Sequence, residues 1–171
     1  MHTPNPQSDL ERRKRLRFVV IVLLIVGAST LSAFANPSVK TAWQYYTVTA
    51  TTPQGLRSQM LQLRGDDVWG VTRWQVDWTA SCRVSVDIIY TIPRHARRSA
   101  MPADLLARWD RMIVALRSHE QRHGSHAVRA GREMVQQNCR NAGGIIAKWE
   151  EQDRLYDQVT GHGRTEGAVF P

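Results

Sequence analysis

Between Pro102 and Gln137 the chain repeats buried-type residues at three- and four-residue spacing. Leu105, Trp109, Met112 and Leu116 come first, then His119, His123, Ala127, Ala130 and Met134. That spacing marks one face of an amphipathic helix. An unbroken helix of this span is about 54 Å long. A domain made of residues 36–171 has a radius of gyration of about 14 Å. The rod would overhang such a domain, so a bend is expected, at Gly124 or Gly131. Every other element has to be arranged along this one helix.

Where the domain begins follows from the first 35 residues. ERRKRLR at 11–17 precedes FVVIVLLIV at 18–26, and Ala33-Phe34-Ala35 is a small-x-small site. A basic region, an apolar run and such a site together describe a secretory signal cleaved after Ala35. The alternative is an uncleaved anchor through 18–35, a stretch close to the minimum that spans a bilayer. On either reading residues 36–171 are exported, because the Lys/Arg cluster stays on the cytoplasmic side. The expected division is therefore 1–35 as signal or anchor and 36–171 as the working domain. The expected location is periplasmic or secreted.

Export changes the meaning of the charge. The whole chain carries +8. Five basic and two acidic residues fall in the first 35, which leaves +5 beyond them. Sixteen of the 18 remaining basic residues are Arg, scattered singly or in pairs. No basic run survives that would mark a nucleic-acid surface. Export also gives the two cysteines a role: in an oxidising compartment Cys82 and Cys139 are expected to pair.

The rest of the domain reads as short elements. Trp43–Ala50 is aromatic and β-branched, a strand. Thr52 followed by Pro53 starts a short helix striped by Leu56, Met60 and Leu63. Gly65-Asp66-Asp67 is a turn. Val71–Ala80 and Arg83–Ile92 alternate as strands with one buried face each, and their short connection makes them antiparallel. Asn141–Gly144 is a turn before a helix over Ile145–Tyr156. The order is that of an α+β domain: a small antiparallel sheet packed on the long helix and a second C-terminal helix.

The long helix carries His119-Glu120-Gln121-Arg122-His123. Residues i and i+4 lie one turn apart on the same face, so two imidazoles can meet one Zn²⁺. Glu120 stands beside the open coordination position, where a general base for a metal-activated water is needed. The competing account is a helix surface with ordinary charged residues. It fits poorly, because the His pair falls on the apolar stripe and a buried imidazole needs a partner.

A catalytic zinc needs a third protein ligand. His126 lies about 10.5 Å along the axis from His119, too far for a shared ion on an unbroken helix. Glu133, Glu150 and Glu151 are acidic candidates, each equally readable as a solvated helix face. His162 lies between Gly161 and Gly163 after the second helix, and those glycines permit close backbone approach. Asp157 could hold a ligand imidazole from behind or be a surface residue near a helix end. Tyr156 could donate to a developing oxyanion or pack in the core. The strand Arg83–Ile92 could pair with an extended peptide, and His95 beside Arg97 and Arg98 reads as a solvated loop.

HEQRH on a long helix, the later segment YDQVTGHG and the ending GAVFP together resemble a family of predicted secreted zinc-dependent bacterial proteases, catalogued as a domain of unknown function. WQYYTVTATTPQGL and VTRWQVDW are similar to it as well, so the likeness spans nearly all of 40–171. The resemblance implies a zincin-like fold and a zinc peptidase, with His119 and His123 as ligands, Glu120 as base and His162 as the favoured third ligand. The substrate would be a peptide or protein of the cell envelope. A zinc-stabilised envelope interaction module without turnover is the alternative from another class. An amidase acting on peptidoglycan peptides is a third reading.

Overall fold

The computed structural model describes residues 36–64 and 68–169. The N-terminal basic and apolar segments, the 65–67 turn and the last two residues of GAVFP lie outside the described residues.

Three strands and three helices follow in the order β1 (Ser38–Val48), α1 (Pro53–Arg64), β2 (Val71–Trp78), β3 (Val84–His95), α2 (Ala103–Gln136) and α3 (Ala142–Thr160). The class is α+β, as the sequence pattern implies. The sheet order is β1-β3-β2. β2 and β3 form the expected antiparallel pair, with Val71 opposite Thr91 and Trp78 opposite Val84. β1 then joins the far side of β3 in parallel, from Ser38 opposite Ser85 to Val48 opposite His95. The sheet is therefore mixed rather than wholly antiparallel. A parallel partner requires a crossover connection, and α1 with β2 supplies it. Because β3 has a partner on both sides, it has no free edge for a peptide. The unpaired edges among the described strands belong to β1 and β2.

Local chemistry explains the element starts. Thr52 Oγ1 accepts from the Gly55 N–H at 3.1 Å, capping α1 ahead of Pro53 at its first position. Gln59 Oε1 accepts from the Thr49 and Ala50 N–H groups, which fixes the β1–α1 corner. Leu56 and Met60 are buried while Leu63 is exposed, so the α1 stripe is one residue shorter than its spacing suggests. On β3, Val84, Val86, Ile88, Tyr90 and Ile92 alternate inward as expected. On β2 only Val76 is fully buried, and Trp78 is exposed. His95 is not a solvated loop residue. It is buried, its Nδ1 accepts from the Arg97 N–H, and its Nε2–H donates to the Ala50 carbonyl.

α2 runs for 34 residues without interruption, about 51 Å. Gly124 and Gly131, where a bend is expected, both lie inside this continuous helix, and each meets a side chain of the sheet. A Cβ on Gly124 would collide with the Tyr90 hydroxyl and lie 2.8 Å from its Cζ. A Cβ on Gly131 would lie 2.6 Å from Val86 Cγ2. Together with Ala127 and Ala130 they let the helix backbone settle close on β3.

Two hydrophobic clusters form along α2. Leu105, Trp109, Met112 and Leu116 pack with Leu56 and Met60 of α1, with Val48 and with Ile92. Ala127, Ala130 and Met134 pack with Val76, Val86, Ile88, Tyr90 and Ile145. The disulfide Cys82–Cys139, with Cα atoms 5.6 Å apart, ties the β2–β3 connection to the turn after α2. Between the two clusters the same helix face is polar, and it carries His119, Glu120 and His123.

Candidate metal centre

His119, Glu120 and His123 are all buried. Three ionisable side chains in the middle of an apolar stripe are costly unless each has a partner. The partners come from α3 and the segment after it.

α3 continues past the expected end at Tyr156 to Thr160, where Gly161 closes it in the left-handed conformation (φ 58°). Glycine is the usual residue at such a position. The extra turn keeps Asp153 and Asp157 on one helical face at i, i+4 spacing, turned toward α2. Asp157 Oδ1 lies 3.1 Å from His119 Nε2 and 3.0 Å from His123 Nε2. The two Nε2 atoms are 3.3 Å apart. Two ligands about 2.0–2.1 Å from a tetrahedral ion are about 3.3 Å from one another, so this triangle has nearly the size that one ion requires.

The far sides of both rings are held by carboxylates. His119 Nδ1–H donates to Glu166 Oε2 at 2.9 Å, and His123 Nδ1–H donates to Asp153 Oδ1 at 2.9 Å. With both Nδ1 atoms protonated, both Nε2 atoms present lone pairs. Those lone pairs and an anionic oxygen face a single point. Such a cluster needs a positive charge at its centre, either a cation or a proton. In the metal-free protein a proton fills that need. Burial pulls the His123 pKa down, but the hydrogen bonds it donates to Asp153 and Asp157 outweigh it and raise the value to about 10. His119 moves up for the same reason, against its burial, through Asp157 and Glu166. Burial alone would raise the Asp157 carboxyl, yet its bonds to His119 and His123 hold it well below the usual carboxylate range.

Glu120 points to the other side of the helix line, toward β2. Its Oε2 accepts from Thr72 Oγ1 at 2.7 Å, and a Cβ on Gly70 would fall 2.9 Å from its Cδ. Burial raises its pKa, with Thr72 and the two histidines working against the rise. Glu120, both histidines and Asp157 line one cavity of about 150 Å³, whose lining also includes Gly70 and Thr72.

Of the residues the sequence singles out, His119, His123 and Asp157 come together as a potential ligand set. His162 does not join them. It follows the α3 cap, its side chain is 54% exposed, and its Nδ1 lies 3.4 Å from the outer oxygen of Asp157. The flanking glycines do allow close approach, but of a different residue. At Gly163 (φ 79°) a Cβ would lie 2.9 Å from His119 Cγ, and the backbone passing there delivers Glu166 to His119. Tyr156 stacks on His119 with ring centroids 4.9 Å apart, and its hydroxyl donates to Glu166 at 2.7 Å. The acidic candidates are engaged elsewhere or exposed. Glu133 holds Lys148 and Trp149, Glu151 holds Arg154, and Glu150 is exposed.

Sequence reading alone missed Asp153 and Glu166. A signal for Asp153 was present, since it precedes Asp157 by four residues, the same interval that separates His119 from His123. Glu166 had none, because its placement depends on the left-handed turns at 161–163.

A bacterial family of unknown function, DUF922, matches residues 43–163 of the chain. No curated protein and no solved structure matches it.

Proposed function

The chain belongs to the bacterial DUF922 family, and from that starting point we propose that it is an exported zinc metallohydrolase that cleaves peptide bonds in the cell envelope. The observation that carries the reading is the convergence of His119 Nε2, His123 Nε2 and Asp157 Oδ1 beside the buried carboxylate of Glu120. These three atoms would hold the ion. Two nitrogens and one oxygen with an open side suit catalytic zinc. A bound zinc ion supplies a water acidified to near neutral pH and a Lewis acid for the scissile carbonyl.

The rest is the work of the chain's own residues. Glu120 accepts the water's proton at a carboxylate oxygen and returns it to the leaving amine. Its raised pKa brings the two transfers closer in energy, and Thr72 keeps it oriented. Glu166 keeps His119 in the tautomer that presents Nε2. The unpaired edge of β2 leads from the cavity at Thr72, so an extended peptide added there would pass its backbone across the site. Export rests on the N-terminal sequence pattern and agrees with the disulfide. Anchoring through 18–35 remains the alternative to cleavage.

Two histidines and a carboxylate also suit ferrous iron, and metal analysis separates the two. Metal analysis of the purified protein, combined with digestion of a mixed peptide library, tests the proposal. One zinc per chain and cleavage by the native protein are expected. Glu120→Gln should keep the metal and lose cleavage. Full cleavage by Glu120→Gln refutes the mechanism. Stoichiometric zinc without any cleavage favours the envelope interaction module, and bound iron refutes the zinc assignment.

A further inference from the structure

A second group of possible ligands lies on the other side of His123. His126 Nδ1 and His123 Nδ1 both approach Asp153 Oδ1, at 2.6 Å and 2.9 Å. The other oxygen, Asp153 Oδ2, accepts from Trp74 Nε1 at 2.6 Å. Two arguments separate this group from a metal site. His123 would have to bind metal through both nitrogens at once, which a neutral imidazole cannot do. A distance of 2.6 Å between two ligands about 2.05 Å from an ion would also force an angle of about 80°, well below tetrahedral. The spacing is instead that of charge-assisted hydrogen bonds.

Read as hydrogen bonds, the group is complete. Asp153 receives three N–H donors on two oxygens, from α2 twice and from β2 once. Its carboxyl is held below the usual range by these donors, against its burial. The consequence is positional. Trp74 stands on β2, the strand that also carries Thr72 to Glu120. His126 is packed against Trp149, with ring centroids 5.7 Å apart. Both fix the carboxylate that fixes His123.

We propose that Asp153, clamped by Trp74 and His126, is the positioning residue for the metal ligand His123, and that His126 binds no metal. The proposal rests on the metal-centre reading above. It links the substrate-side strand to the orientation of one ligand through a single carboxylate.

The test is zinc titration of the full-length oxidised protein against a competing chelator, with Co²⁺ absorption as a second readout. The native chain should bind one equivalent. Asp153→Asn replaces one acceptor oxygen by a donor and should weaken zinc about 10- to 100-fold. Trp74→Phe removes the N–H donor together with part of the ring and should weaken zinc less than Asp153→Asn. His126→Asn is the informative variant: its amide can replace the Nδ1–H donor but is a poor zinc ligand, so it should bind one equivalent almost as tightly as the native chain. Thermal melts of the metal-free variants separate misfolding from lost positioning: a variant that melts like the native chain but binds zinc more weakly has lost positioning alone. Native affinity in both Asp153→Asn and Trp74→Phe overturns the proposal while leaving the metal centre intact. So does a second equivalent in the native chain that disappears in His126→Asn. No metal bound by the native chain overturns both.

Discussion

Gly124→Ala offers a direct measure of how closely α2 is seated on the sheet. In an open helix the substitution would stabilise by about 1 kcal/mol, because glycine is a poor helix former. Here the new Cβ meets the Tyr90 hydroxyl and sits 2.8 Å from Cζ and 3.0 Å from Cε1. Tyr90 is buried and stacks on Trp43 with centroids 4.5 Å apart, so its ring cannot swing away freely. Forcing one carbon into such packing costs about 1–3 kcal/mol. A collision with several ring atoms belongs in the upper part of that range. After the helix gain, the net destabilisation is about 1–2 kcal/mol, or roughly 3–8 °C in Tm for a domain of this size. Gly143→Ala in α3 is the control. A Cβ there meets nothing within 4 Å, so it should stabilise by up to about 1 kcal/mol. Urea unfolding of the oxidised, metal-free protein measures both. Adding Tyr90→Phe removes the first collision and should recover part of the loss, a coupling of at least about 0.5 kcal/mol. If Gly124→Ala is as stable as the native chain, the close seating of α2 on β3 is wrong.

Two further outcomes follow from the same structure. Reducing Cys82–Cys139, which spans 57 residues, should lower stability by about 4 kcal/mol in the chain-entropy account. Denaturant melts with and without reductant check it, and identical midpoints would refute it. The metal-free protein should weaken as pH rises. His123 is raised from 6.5 to about 10, so its contribution is complete below pH 6.5 and is lost as pH climbs through 10. Melts with a chelator at pH 6.5 and pH 9.5 should show the decline, and a flat or rising profile would contradict the protonated cluster.

Much of the fold is legible in the sequence because the signals are local. The α2 stripe, the Thr52 cap, the β3 alternation and the cysteine pair each depend on spacing or residue type alone. The parallel addition of β1 depends on where a long crossover returns, which no local pattern encodes. The same division holds at the site. His119, Glu120 and His123 share one helical turn and can be read directly. Asp157 becomes a partner only because α3 runs one turn further, to the glycine at 161. His126 falls one turn past the ligand pair and looks like a misplaced ligand until Asp153 is seen between the helices. The glycines at 124 and 131 read as hinges in sequence, whereas in the structure they are contact points.

The partners of the two histidines lie late in the chain, at 153, 157 and 166. A ribosome makes residues 119–123 well before it makes those that hold them. For that interval the histidines have no third ligand and no carboxylates behind them. The histidine cluster is therefore assembled only after residue 166 has emerged, and a chain cut before Glu166 loses that support from His119. The contacts of Asp153, Asp157 and Glu166 with His119 and His123 also pin α3 and the turn after it to the middle of α2, so the histidine cluster works as a latch between the two helices.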